Sequence, residues 1–395
     1  MAAMNWLQYL EHKLRAQEAA GLLRAGPVRS GPARARTTID GGRFVYWGSN
    51  HYLDLATHPE VVHAAQEAAA RYGTGSGASP LLPGKTPLHE ELEEELARWK
   101  GTEAACLFAT GYQANVGWLM ALCGPRDLVL YDELVHASLL DGARASGAHL
   151  CPFRHADPGS LEDRLRQERG RYRFAAILTD GVFSMDGDLA PLPDLLELAE
   201  RFDALLFVDD AHGTGVLGFD GSGTAAHFGL KGRERLIHIG TTSKALAAEG
   251  GFLAGPAVLI RFLRNRARSY MFSTAPAPPV VAAALAALRI ARFDHSRRQH
   301  LHRLGQRLRQ GLRQLGWSVP DDPTPIVPLR IGPVSETLQR AEALRARGHW
   351  VPAIRPPTVP HGTSRLRLSL TAGHKAEEID ELLEALGPPP AGAGR

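Results

Sequence analysis

The chain has 395 residues, with 45 Lys and Arg against 42 Asp and Glu and a net charge of +3. So even a balance does not by composition alone imply a nucleic-acid or membrane partner. Apolar residues make up 44%, close to the ~45–50% of soluble globular proteins, and at ~150 residues per domain the length predicts two or three domains. Cys106, Cys123 and Cys151 are odd in number and show no CxxC spacing. They predict no disulfide framework and a reducing, cytoplasmic setting. His149, Cys151 and His155 fit no metal-ligand spacing, so no metal is expected.

Residues 1–23 read as an amphipathic helix, with Leu7, Leu10 and Leu14 at helical spacing. Glu11, Lys13, Arg15 and Glu18 interrupt the apolar run that a signal peptide needs. A Gly/Pro/Arg connector follows over 26–36, then a short strand at Phe44, Val45 and Tyr46. Residues 1–45 are therefore assigned to an N-terminal helix and connector. From about residue 85 the pattern alternates. Leu88, Leu92 and Leu96 mark one buried stripe, with Glu90, Glu91, Glu93, Glu94 and Glu95 on the surface positions. Apolar runs at 104–109, 128–131, 174–178, 204–208 and 236–240 lack alternation. They suit strands of a parallel sheet covered on both faces by helices. A doubly wound, mostly parallel α/β domain over 46–275 is the expectation.

A Pro-rich hinge at 276–279 opens a smaller α+β domain over 276–386. There Leu366, Leu368 and Leu370 alternate with Arg365, Arg367 and Ser369, as in a half-buried antiparallel strand. The longest apolar run, 280–288, is nine residues, short of the ~20 of a membrane span. Residues 387–395 carry no core-forming side chain and are expected to be disordered.

Open α/β sheets bind ligands at the carboxyl ends of their strands. The residues just after the five runs are Thr110-Gly111-Tyr112, then Asp132 with His136-Ala137-Ser138, then Asp180 with Ser184, then Asp209-Asp210-Ala211-His212, and last Thr241-Thr242-Ser243-Lys244. A helix start with free N–H groups and nearby hydroxyls makes a phosphate cup. A buried Asp holds a pyridinium proton, and a Lys condenses with an aldehyde. Phosphate, pyridinium and aldehyde together describe pyridoxal phosphate.

The strings Val208-Asp209-Asp210-Ala211-His212-Gly213-Thr214-Gly215 and Thr241-Thr242-Ser243-Lys244-Ala245-Leu246 resemble the α-oxoamine synthases, fold-type I pyridoxal phosphate enzymes. Further matches are Ser49-Asn50-His51-Tyr52-Leu53, Pro87-Leu88-His89-Glu90-Glu91-Leu92-Glu93, His136-Ala137-Ser138 and Gly181-Val182-Phe183-Ser184-Met185-Asp186-Gly187. The resemblance implies that Lys244 carries the cofactor and is the general base, and that Asp209 pairs with the pyridine nitrogen. It implies that His212 bonds the phenolic oxygen and that His136 stacks on the ring and helps to protonate or orient the substrate. Gly111 and Tyr112 would offer backbone N–H groups, and Ser184 and Thr241 hydroxyls. Phe272-Ser273-Thr274 would reach the phosphate of a partner subunit in a homodimer, with Thr274 as the contact.

Residues 353–360, followed by Gly362-Thr363-Ser364-Arg365-Leu366-Arg367, are similar to the family members that join L-alanine to a pimeloyl thioester in biotin synthesis. The acyl donor would ride on coenzyme A or an acyl carrier protein. Glycine-using members with acetyl-coenzyme A are the alternative. Arg367 is the candidate for the alanine carboxylate, since a planar guanidinium binds carboxylates bidentately. Arg24, Asn50 and Thr358 match substrate-contacting positions. His51, Asp54, Asp180 and the 79–84 loop with Pro80 depart from the family pattern. A rival reading uses the basic stripe Arg297, Arg298, Arg303, Arg307, Arg309 and Arg313 to hold nucleic acid or a carrier protein. Its plainer reading is a solvated helix face. Gly84-Lys85-Thr86 has neither the first glycine nor the preceding strand of a phosphate loop.

Overall fold

The computed structural model describes residues 5–24 and 26–390. The end of the expected disordered tail, 391–395, lies outside them. A hairpin of β1 (Arg36–Ile39) and β2 (Gly42–Tyr46) follows the first helix, Trp6–Ala19. That helix buries none of its residues. The main sheet then takes β3 (Ala104–Phe108), β4 (Asp127–Asp132), β5 (His149–Phe153), β6 (Phe174–Asp180), β7 (Leu205–Asp209), β8 (Leu236–Thr241) and β9 (Gly251–Gly255). Their order is β3-β9-β8-β7-β6-β4-β5. Neighbours from β8 through β7, β6 and β4 to β5 run parallel, whereas β9 lies antiparallel between β3 and β8. Helices on both faces bury the central strands, which is why the middles of β4, β6, β7 and β8 are mostly apolar.

Sequence periodicity misses two strands. β5 has an exposed His149 and Pro152 on the sheet edge, and β9 begins and ends in glycine. Neither reads as an apolar run.

The C-terminal part of the chain adds β10 (Ile326–Gly332), β11 (His349–Trp350), β12 (Ala353–Ile354) and β13 (Ser364–Ser369). β13 lies between β10 and β12, antiparallel to both, while β11 pairs in parallel with β2. The half-buried expectation for β13 fails: every one of its residues is buried. Its leucines enter a core cluster shared with residues such as Leu92, Trp99 and Phe252, and Arg365 and Arg367 face loop 184–186, bonding Met185 O, Asp186 and Ser184 O.

Two surface assignments also change. Glu93, on the helix Pro87–Lys100, is buried and bonds Lys85 Nζ at 2.7 Å, Arg264 Nη2 at 2.8 Å and Leu107 N at 3.1 Å. The arginine stripe on the helix His295–Gln314 is not a solvated face throughout. Arg298 and Arg309 are buried and spend their donors on carbonyls, Arg309 on those of Pro320, Thr324 and Ile326. Arg307 and Arg313 pair with Asp380 and Asp321. Among the described residues no helix is long and apolar enough to cross a membrane, and no group of three or more His, Cys, Asp or Glu is placed to hold a metal.

Candidate active site

The carboxyl ends of β4, β6, β7 and β8 and the start of the helix Gly111–Leu122 enclose a cavity of about 230 Å³. Gly111, Tyr112, His136, Asp209, His212, Thr241 and Lys244 all line it. Seven residues spread over more than 130 positions meet because parallel strands point the same way, so each delivers its following loop to one edge.

The helix starts where Thr110 caps it, its hydroxyl accepting from Gln113 N at 3.1 Å. The first-turn N–H groups of Gly111 and Tyr112 have no intrahelical acceptor and stay available to an anion. Close packing fixes this cradle from below. A Cβ on Gly251 would collide with Thr110 O and Gly111 N, and one on Gly111 would touch Thr241 Cβ at 3.4 Å. Thr241 Oγ1 bonds Ser243 Oγ at 2.7 Å and Gly250 O at 2.5 Å.

Asp209 is held in place from two sides. Asn115 Nδ2 donates to Oδ2 at 2.7 Å and Ala211 N to Oδ1 at 3.1 Å. Asn115 also donates to Ser138 Oγ at 2.8 Å, which in turn meets His136 Nδ1 at 2.7 Å. Asp180 is the register partner of Asp209 on the next strand. Burial, and then the charge of Asp209, raise its carboxyl well above the usual range, while it still accepts from His136 N at 3.1 Å.

Lys244 Nζ lies 2.9 Å from His212 Nε2. His212 Nδ1 meets Tyr52 Oη at 2.6 Å, and Tyr52 donates to Asn50 Oδ1 at 3.2 Å. Arg367 Nη1 reaches the same Asn50 oxygen at 3.5 Å, while its Nε donates to Ser184 O at 2.5 Å. Burial lowers the Lys244 amine to about 8; Asp209 and Asp180 oppose the drop and Arg367 adds to it. Burial also keeps His212 neutral, helped by the charges of Lys244 and Arg367. A neutral His212 that accepts from Lys244 at Nε2 carries its proton on Nδ1 and donates it to Tyr52. The chain of donors then runs unbroken from Lys244 to Asn50.

The remaining predicted residues lie elsewhere. Ser184 does not line the cavity; its carbonyl holds Arg367. Thr274 is exposed on a loop after the short helix Arg268–Met271, beside an exposed Phe272. Arg24 and Thr358 form a second cluster, Arg24 Nη2 donating to Thr358 Oγ1 at 3.0 Å and to Arg355 O at 3.3 Å. Asn115 and Tyr52 had no assigned role in the sequence. Asn115 sits at the buried side of an otherwise apolar helix, a signal that was legible. A larger cavity of about 560 Å³, between 216–219 and the helix His295–Gln314, is lined by no lysine, cysteine or serine.

The donor set fits pyridoxal phosphate. The site offers an anion cradle at one end, a fixed carboxylate at the other and a buried, partly neutral amine. Asn115 Oδ1 is buried there without a partner among the described residues.

Comparisons with known proteins agree. Residues 43–386 match the family described as aminotransferase class I and II. The 8-amino-7-oxononanoate synthase of Nitrosococcus oceani is 47% identical over 374 residues, covering 95% of this chain and 99% of that protein. That of Anaeromyxobacter dehalogenans is 47% identical over 400 residues, covering 100% and 99%. A serine palmitoyltransferase from S. paucimobilis, solved with pyridoxal phosphate and myriocin bound, superposes with a TM-score of 0.91 at 29% identity, covering 97% of this chain and 98% of that one. The chain belongs to the aminotransferase class I and II family of pyridoxal phosphate enzymes, on the α-oxoamine synthase branch that includes the 8-amino-7-oxononanoate synthases.

Proposed function

We propose that this chain condenses L-alanine with a pimeloyl thioester, giving 8-amino-7-oxononanoate, carbon dioxide and the free thiol. A carbon–carbon bond forms at the alanine α-carbon, the thioester bond breaks, and the carboxylate leaves as carbon dioxide. The α-proton returns to the same carbon once carbon dioxide has left, and the departing thiolate of coenzyme A or of an acyl carrier protein takes its proton from solvent. The observation that carries this reading is the Lys244 amine lining one cavity together with an Asp209 fixed by Asn115, and beside a neutral His212.

When bound, pyridoxal phosphate supplies an aldehyde for amine condensation and a cationic ring that stabilises a carbanion. Lys244 Nζ would hold the cofactor and, in its free form, would take the α-proton from alanine and return it to the same carbon. Its pKa near 8 suits both tasks at neutral pH. Asp209 keeps a proton on the ring nitrogen. His212 would bond the phenolic oxygen, and His136, which lines the same cavity, would meet the ring and help to orient the substrate. Gly111 and Tyr112 would offer backbone N–H groups and Thr241 its hydroxyl to the cofactor, with Thr274 reaching across to a second protomer of a homodimer, whereas Ser184, outside the cavity, holds Arg367 instead. The exposure of the 272–274 loop supports that last assignment.

Arg367 takes the alanine carboxylate. It is buried beside Tyr52 and Asn50, where a guanidinium without an anionic partner is costly. Asn50 orients it, and Arg24 with Thr358 forms the acyl-side cluster. The enzyme works in the cytoplasm, as its three free, buried cysteines favour. Thiol release is to be measured with alanine or glycine, each against pimeloyl and acetyl thioesters, alongside borohydride trapping of the cofactor on Lys244. Turnover with alanine and the pimeloyl donor is expected. Activity with glycine and acetyl-coenzyme A alone would instead name a 2-amino-3-ketobutyrate coenzyme A ligase.

A further inference from the structure

His155 lies outside the cavity, yet it bridges two of the loops that build it. The loop after β5 places its imidazole between two carboxylates. Nδ1 is 3.0 Å from Asp132 Oδ1, and Nε2 is 2.8 Å from Asp188 Oδ2. The edge of the imidazole packs against Phe183, with ring centroids 4.4 Å apart.

Asp132 ends β4 and is buried. Besides His155 it accepts from Leu134 N at 2.9 Å and Ala156 N at 2.8 Å. It therefore shapes the turn that carries His136 into the cavity. Asp188 closes a different turn: Phe183 N donates to Asp188 O at 3.0 Å and Gly187 N to Phe183 O at 2.8 Å. The C-terminal part of the chain grips this second turn. Arg367 Nε bonds Ser184 O, Arg365 bonds Asp186, and Thr324 Oγ1 bonds Gly187 O at 2.6 Å. The other Asp188 oxygen is buried without a partner, so His155 is the one side chain that anchors this carboxylate among the described residues.

We propose that His155 is a positioning residue that, by bridging Asp132 and Asp188, fixes the distance between His136 on the ring side and Arg367 on the substrate-carboxylate side. The bridge spans the turn that carries one and the turn that holds the other. A cation between two carboxylates is the strong form of such a link. Burial disfavours the imidazolium, but the hydrogen bonds to Asp132 and Asp188 outweigh it and raise the group to about 10, so both ring nitrogens donate at neutral pH. The inference rests on the roles given above to His136 and Arg367.

The test uses His155→Gln and the double variant His155→Gln with Asp188→Asn. Glutamine has one donor end and one acceptor end. It bonds Asp132 but presents its oxygen to Asp188. In the double variant, the amide introduced by Asp188→Asn donates to that oxygen and restores an uncharged bridge. For His155→Gln holoenzyme, the alanine KM is expected to rise about tenfold with the thioester KM unchanged, inside the ~100-fold that an ångström-scale misplacement can cost. In the cofactor-free protein, hydrogen exchange should quicken at amides 134–136 and 184–188. The double variant should return the alanine KM to within about threefold of the parent. An unchanged alanine KM, a parallel rise in both KM values, or failure of the double variant to recover overturns the proposal. If the parent traps no cofactor on Lys244, the proposed reaction falls instead, and the exchange measurement on the cofactor-free protein still decides whether His155 joins the two turns.

Discussion

Asp209 and Asp210 are neighbours at the end of β7, and each faces a different lysine. Lys100 and Asp210 form an ion pair at 2.8 Å with both side chains essentially inaccessible. Lys100 Nζ also donates to Thr214 Oγ1 at 2.8 Å and Ser222 O at 2.6 Å, so all three of its protons are used. Asp210 accepts in addition from Thr224 N and Thr224 Oγ1. Lys244, by contrast, has one hydrogen-bond partner among the described residues, His212, and opens on a cavity. Both lysines lie near acids, Lys100 fully buried and Lys244 half-buried. Saturation makes the first a rivet for the 209–214 turn, and spare capacity makes the second a reagent.

The sharpest way to break this contrast is to remove each lysine in turn. Lys244→Ala should lower the condensation rate at least about 10³-fold, since it removes the cofactor-holding amine and the general base together. Its thermal midpoint should not fall, because burial already disfavours the ammonium there. Lys100→Met should do the opposite. It leaves Asp210 buried and uncompensated, at a cost of about 3–5 kcal/mol in chemical denaturation. A stable Lys100→Met protein, or an unstable Lys244→Ala one, would reverse the assignment.

Asp209→Asn tests the acid of the reactive pair. Its kcat/KM should drop about 10²-fold, the scale on which removing one preorganised electrostatic group acts, with little change in denaturation midpoint. The smallest effect is a pH dependence. The rate at which the cofactor-free protein takes pyridoxal phosphate onto Lys244 should climb as pH rises and level off above about 8, not above 10.5, because only the neutral amine attacks a carbonyl. At pH 7 about a tenth of such an amine is neutral, so attachment is already measurable there. A titration centred above pH 10 would place Lys244 in solvent rather than in the cavity.

Much of the site was legible because it follows strand ends. Asp209, His212 and Lys244 each come directly after an apolar run, and a parallel sheet turns that sequence habit into one spatial edge. The legible fold stopped where the periodicity did. β9, with glycine at both ends, gives no apolar signal, yet it lies between β3 and β8. Side chains that arrive from far along the chain were hidden for a related reason. Tyr52 and Asn50 come from a segment about 160 and Arg367 about 155 residues from His212, and no local pattern announces which distant loop they will meet. The acid row of helix Pro87–Lys100 misled in the other direction. Glu93 looks like its solvated neighbours, but a tertiary contact gives it two cations and a backbone amide, and that overrides its surface spacing.

Gly251 contributes no functional group, yet it determines what the anion cradle tolerates. With no side chain beneath Thr110 and Gly111, the antiparallel strand lies flush against the start of the cradle helix. Even alanine there would lift that helix away from the sheet and swing its first-turn amides off their aim. A screen of random substitutions should therefore find this silent position as unforgiving as the lysine itself, with the damage appearing first as weakened cofactor retention while the donors remain chemically intact.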